Sequence, residues 1–135
     1  MSKSFNYNLK VYYEDTDAGG VVYYANYLKF LERARSEAIY TLGYTNTDIK
    51  KKFDTLIIVK SCNIEYKKSA VFEDTLNIET ILKSISKTSF IMKQIVNRKN
   101  EVIALAEVCL VCVNSKGKPT KIPIEIGSLL KKYIN

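Results

Sequence analysis

The chain has no histidine among its 135 residues, and that absence removes more chemistry than any motif supplies. Ser-His-Asp and Cys-His nucleophilic catalysis, histidine-based zinc sites and His/Glu dehydration all lack their base or ligand. Cysteine is scarce too: there are three, an odd number, with none of the short loop-rich framework of secreted mini-proteins, so reduced thiols are expected. Cys109 and Cys112 form a C-x-x-C, but inside an apolar run that reads as a strand, where residues three apart face opposite ways. Zinc would need a second ligand pair and thioredoxin-type chemistry a helix N-terminus, so both read as core thiols. No basic-then-apolar leader with a cleavage site is visible, and no apolar run approaches the roughly 20 residues of a membrane span, which leads us to expect a cytoplasmic protein. Linkers, internal repeats and low-complexity tracts are also missing, so residues 1–135 read as one domain.

Acidic charge is outweighed by basic charge, giving a net +7 that comes mainly from lysines in short clusters: Lys50 to Lys52, Lys67 with Lys68, Lys116 with Lys118 and Lys121, and Lys131 with Lys132. Such an excess steers anionic partners, whether nucleic acid, a phosphorylated small molecule or an acidic protein, and equally describes a solvated basic surface. Nucleic acid is the least favoured of these. The lysines are not interleaved with aromatics on one stretch, and no zinc, helix-turn-helix or ribonucleoprotein-type motif occurs.

Periodicity supplies the architecture. Phe5, Tyr7, Leu9, Val11 and Tyr13 alternate, predicting a strand from Phe5 to Glu14 with one buried face. From Tyr24 the period lengthens: Tyr27, Leu28, Leu31, Ala34, Ala38 and Leu42 predict an amphipathic helix, which Asn26 could cap and Gly43 could end. Residues 44–53 carry no firm pattern beyond a short helical turn. Strands are expected over Leu56 to Lys67, Leu76 to Lys83 and Ser89 to Asn97, with turns at Phe72 to Asp74 and Arg98 to Asn100. Val102 to Val113, almost continuously apolar, cannot easily be an exposed edge, and Pro123 opens a short terminal helix. The sum is a meandering antiparallel sheet wrapped on one helix, an α+β fold.

The stretch most capable of chemistry is VYYEDTDAGGVVYYANYLKFLERARSEA, which delivers Glu14, Asp15 and Asp17 from a strand into a Gly19-Gly20 turn and then a helix start. A carboxylate beside free helix-N-terminal amides is suited to a reaction that develops negative charge. Asp15 and Asp17 also fit a plain turn and cap, or the one or two carboxylates that meet a hydrated magnesium, and the residues alone leave these open.

That stretch closely resembles the signature of the hotdog-fold acyl-CoA thioesterases of the 4-hydroxybenzoyl-CoA thioesterase family, including the bacterial Tol–Pal-associated branch. The resemblance continues through SCNIEYKKSAVFEDTLNIET, SKTSF and IVNRKNEVIALAEVCLVCVN, nearly the whole chain. It implies a five-stranded sheet curled around the long helix, homodimers joined sheet edge to sheet edge, often homotetramers, and active sites between subunits. The family's essential acid matches Asp17, and its thioester-polarising donor matches the backbone amide of Tyr24, with that of Ala25 beside it. Gly19 and Gly20 would admit the ligand close to backbone. Lys87, Thr88 and Ser89 resemble the segment near the bound coenzyme, with Lys87 the first choice for a phosphate or pantetheine contact and Lys67, Lys68 and Arg98 behind it. No cofactor or metal is implied, since coenzyme A is part of the substrate. The Tol–Pal branch usually carries histidine where this chain has Tyr24 and the hydroxybenzoyl branch tyrosine, which leaves short aliphatic and aromatic acyl groups both open. Two alternatives stand beside acyl-CoA hydrolysis: hydrolysis from acyl carrier protein, and a non-catalytic module binding acyl-CoA or an acidic partner.

Overall fold

The computed structural model describes residues 3–134. Strand β1 (Phe5–Lys10) keeps the expected alternation but stops at Lys10 rather than Glu14. The reason is local: an Asp15 carboxylate oxygen captures the Tyr12 amide at 2.9 Å and turns the chain into a 3-10 turn over Tyr13–Asp15. Tyr13 is therefore exposed rather than inward, stacked on Phe72 with ring centroids 3.9 Å apart.

Helix α1 (Asn26–Thr41) follows, then α2 (Asn46–Phe53), whose start is fixed by a reciprocal cap in which Thr45 Oγ1 accepts from the Asp48 amide and Asp48 accepts from that of Thr45. Strands β2 (Leu56–Tyr66), β3 (Thr75–Ile85), β4 (Ser89–Arg98) and β5 (Glu101–Val113) and helix α3 (Ile124–Lys131) complete the chain. All five strands pair antiparallel in the order β1-β3-β4-β5-β2. Only β3, β4 and β5 meander. Strand β2 crosses to the far side of β5, which makes β5 internal and leaves β2 as an outer edge.

The core lies between the concave sheet face and α1. Leu76, Ile78 and Leu82 on β3, Phe90, Met92 and Val96 on β4, and Ala106, Val108 and Leu110 on β5 face Tyr27, Phe30, Leu31, Ala34 and Ala38 of the helix. Leu28, expected in the buried stripe, is half exposed. At 100° per residue it points to the flank that carries Arg35 and Ile39, toward the β2 edge.

One polar cluster sits inside this core. Gln94 is fully buried, its amide nitrogen donating to Leu31 O and Thr80 Oγ1 and its oxygen accepting from Arg35 Nη1, each at 3.0 Å. The half-buried Arg35 guanidinium has no carboxylate within ion-pair distance among the described residues, and desolvation lowers its pKa. Replacing Gln94 by Leu strips partners from Thr80, Leu31 and Arg35 together, and is expected to lower stability by about 2 kcal/mol in urea unfolding. An unchanged midpoint would show that the cluster contributes nothing.

Candidate active site

The junction between β1 and α1 is tied at Asp15. The residue is 5% exposed; one carboxylate oxygen holds the Tyr12 amide and the other lies 3.6 Å from Lys29 Nζ. Its carbonyl accepts from the Tyr23 amide at 3.0 Å and from Asn26 Nδ2 at 2.8 Å. Asn26 is thus a brace back to the loop and not a helix cap.

This has an electrostatic consequence at the helix start. Ala25 occupies the cap position with helical backbone angles and no side-chain cap. The amides of Asn26, Tyr27 and Leu28 are taken by the carbonyls three residues earlier, while those of Tyr24 and Ala25 have no hydrogen-bond partner among the described residues. Two unpaired donors at the positive end of a 16-residue helix form a ready anion site.

Asp17 sits on the exposed loop that this junction holds. Its amide donates to Val21 O at 2.9 Å, its carbonyl accepts from Gly20 at 3.0 Å, and its Oδ1 accepts from the Gly19 amide at 2.8 Å, while Oδ2 has no partner among the described residues. Gly20 takes φ +80°, a left-handed conformation in which a side chain is strained. At Gly19 a Cβ would lie 3.3 Å from Asp17 Oδ1, so the small residue leaves the carboxylate its place. The loop closes through bridges from Thr16 to Val22 and from Val21 to Val71. Glu14 is exposed beside it.

Asp17, Gly19, Gly20, Tyr24 and Ala25 therefore share one loop-helix junction. Lys87, Thr88 and Ser89 do not. They form the β3–β4 turn at the opposite end of the sheet, where Lys87, Lys121 and Lys131 line a cavity of about 240 Å³ with Ile122 and Ile124. None of those three lysines is ion-paired among the described residues, so their charge is available to an anion. Lys67, Lys68 and Arg98 are already committed: Lys67 pairs with Glu65, Lys68 with Glu101, and Arg98 with Asp74 and Glu101. These partners hold the Glu101 carboxyl down to about 2.

Two features escaped the sequence. The Tyr66 hydroxyl at the end of β2 donates to Tyr24 O at 3.2 Å, within an exposed aromatic group that includes Tyr23 and Tyr24. A pairing 42 residues apart leaves no trace in periodicity. The second is a cavity of about 190 Å³ between α1 and the start of β2, lined mainly by Ile39, Ile57, Val59, Phe90 and Met92, with Arg35 among its polar groups. Cys112 is buried and its thiol is pushed up to about 11 by desolvation, while Cys109 lies on the other face of β5, which rules out a dithiol pair.

The sequence pattern of the thioesterase-like superfamily matches residues 11–130. The chain belongs to that superfamily. It is 38% identical over 130 residues to the acyl-CoA thioester hydrolase YbgC of Escherichia coli, covering 95% of this chain and 96% of that protein. It is 36% identical over 127 residues to the acyl-CoA thioesterase YbgC of Haemophilus influenzae, covering 93% of each. Among solved structures, a probable thioesterase from Bartonella henselae superposes with a TM-score of 0.86 at 30% identity, over 90% of this chain and all of that one. The chain is a hotdog-fold hydrolase of the thioesterase class. Within its described residues no helix is long and apolar enough to cross a membrane.

The left-handed turn yields a test of the loop. Gly20→Ala is expected to lose about 1 kcal/mol in urea unfolding because the added Cβ meets backbone strain rather than a neighbouring atom. A loss of zero would mean that the loop relaxes out of this conformation.

Proposed function

We propose that the chain hydrolyses the thioester of short-chain aliphatic or aromatic acyl-CoA to free acid and coenzyme A, at sites built from two copies. The observation that carries this reading is the pair of unpartnered amides at Tyr24 and Ala25 next to the Asp17 loop. The thioester carbonyl oxygen accepts from one or both amides. Asp17 either takes a proton from water as the water oxygen bonds to the carbonyl carbon, or bonds to that carbon itself and is freed by water in a second step. In each route the negative charge collects on the carbonyl oxygen, where the amides stabilise it, and collapse breaks the C–S bond to release the coenzyme thiolate, which then takes up a proton. No histidine enters these steps.

The register supports a shared site. Tyr66, beside the reactive junction, pairs with Ala104, whereas Ser89, beside the basic groove, pairs with Val111. Seven residues along β5 separate them, about 24 Å at ~3.4 Å per residue. One subunit thus carries its reactive end and the groove of Lys87, Lys121 and Lys131 far apart. The exposed edge strand β2, with Leu56, Ile58, Val59 and Tyr66, and the half-exposed Leu28 beside it, supplies the apolar seam for pairing with a second copy. Antiparallel pairing of two β2 edges about a two-fold axis sets the Leu56 end of one copy beside the Tyr66 end of the other. Asp17 of one subunit then meets the 190 Å³ cavity and the lysine groove of its partner. The phosphates of coenzyme A would use Lys87, Lys121 and Lys131.

In a thiol-release assay over an acyl-CoA panel, Asp17→Asn is expected to lose at least about a hundredfold in kcat while retaining coenzyme binding and oligomeric mass. Full activity in that variant would remove Asp17 from the reaction. Carrier-bound acyl groups in the same panel separate the carrier-protein substrate, whose binding would weaken selectively with salt. Binding without thiol release on any member of the panel would mark a non-catalytic module.

Subunit mixing checks the shared site. Asp17→Asn and the triple variant Lys87→Glu, Lys121→Glu, Lys131→Glu, unfolded and refolded together in equal amounts, are expected to recover about a quarter of parental turnover through the one intact site of each mixed dimer. No recovery beyond the sum of the two variants would place the whole site within one subunit.

A further inference from the structure

The Tyr24–Ala25 peptide is held from one side and open on the other. Its carbonyl accepts from the Tyr66 hydroxyl at 3.2 Å and from the Tyr27 amide at 3.2 Å, and its N–H, that of Ala25, has no partner among the described residues. A carbonyl can only accept, so the Tyr66 hydroxyl must be the donor. A hydrogen bond to the carbonyl of a peptide draws electron density from its nitrogen and makes its N–H a stronger donor.

Tyr66 is well mounted for this. It is the last residue of β2, paired with Ala104, and its ring packs edge-on against Tyr24 and Tyr27 at centroid distances of 6.3 and 5.4 Å. The neighbouring Tyr27 hydroxyl faces another segment, accepting from the Ala70 amide at 3.1 Å. Burial raises the Tyr66 pKa above its ordinary value, so the hydroxyl keeps its proton at neutral pH.

We propose that Tyr66 is a positioning residue for thioester hydrolysis: its hydroxyl fixes the Tyr24–Ala25 peptide and polarises it, so that the Ala25 N–H is oriented and strengthened toward the substrate carbonyl oxygen. This rests on the reading of that amide, beside that of Tyr24, as one of two thioester-polarising donors. Tyr66 touches no reacting atom. Its effect is carried through the peptide and belongs to the step in which the carbonyl oxygen becomes negative, so it acts on kcat more than on KM.

The test is Tyr66→Phe, which keeps the ring and removes one donor. On butyryl-CoA and benzoyl-CoA, kcat is expected to fall about 5- to 20-fold with KM within about threefold, less than the hundred- to thousandfold typical of losing a whole oxyanion donor. In the substrate-free protein the Ala25 amide nitrogen resonance should shift, with circular dichroism and oligomeric mass unchanged. An unmoved Ala25 resonance overturns the proposal because the peptide is then not polarised by Tyr66. A moved resonance with unchanged kcat, or a rise confined to KM, overturns it too. The resonance needs no turnover, so a parental enzyme inactive on every acyl-CoA would sink the reaction reading while the coupling of Tyr66 to Ala25 is still measured.

Discussion

The structure depends on what Asp15 does with its buried carboxylate and its carbonyl. An acid that is 5% exposed needs partners, and its carboxylate finds them in the Tyr12 amide and Lys29, while its carbonyl accepts from the Tyr23 amide and Asn26. Those bonds end β1 early, bend the chain into the 3-10 turn and fix the entry to α1. They also draw the Asn26 side chain away from the helix start, where it would have served as a cap. A junction this tightly specified leaves its neighbours free: Asp17 is exposed, and the amides of Tyr24 and Ala25 are unpaired. The buried acid organises the loop that carries the exposed one.

Much of the architecture was legible because periodicity reports burial on a single face. The alternation in β1, the three- and four-residue spacing of α1 and the turns before β3 and β5 all came from local chemistry. Departures from that pattern have causes that hydrophobic period does not record, some local and some long-range. The extension of the first strand to Glu14 failed because Asp15 took the Tyr12 amide, and Tyr13 left the inward face to stack on Phe72. Leu28 was placed in the core stripe because it is apolar and correctly spaced, yet it lies on the flank facing an edge strand. Pairing order is invisible to period, so the passage of β2 beyond β5 was not foreseen.

Of the site, the Asp17 loop and the helix start were legible as a pattern of acid, glycine pair and amphipathic run, reinforced by the chain-long resemblance. Distance was not legible. Lys87 is 70 residues from Asp17 in sequence, and only the strand register shows the two at opposite ends of the sheet. Lys67, Lys68 and Arg98 looked like spare positive charge and proved to be ion-paired, whereas Lys121 and Lys131, read only as surface clusters, converge on Lys87. A count of charges records the excess but not which of them carboxylates have already neutralised.

The absence of histidine fits this geometry. A histidine-based hydrolase tunes a base between neutral and charged forms, whereas in the proposed reaction the polarising element is backbone, whose dipoles do not titrate and need no reorganisation as charge develops. A backbone donor must be placed by the fold itself, which explains why so many bonds converge on residues 12–26. Donation from a backbone amide does not itself depend on which side chain stands at position 24. The same junction can therefore stay in register while the walls of the cavity proposed for the acyl group change, because Ile39, Ile57 and Val59 belong to α1 and β2 rather than to the loop. In the proposed site, rigidity at the helix-start amides and freedom in the cavity beside β2 are thus housed in different elements, which allows one to vary without disturbing the other.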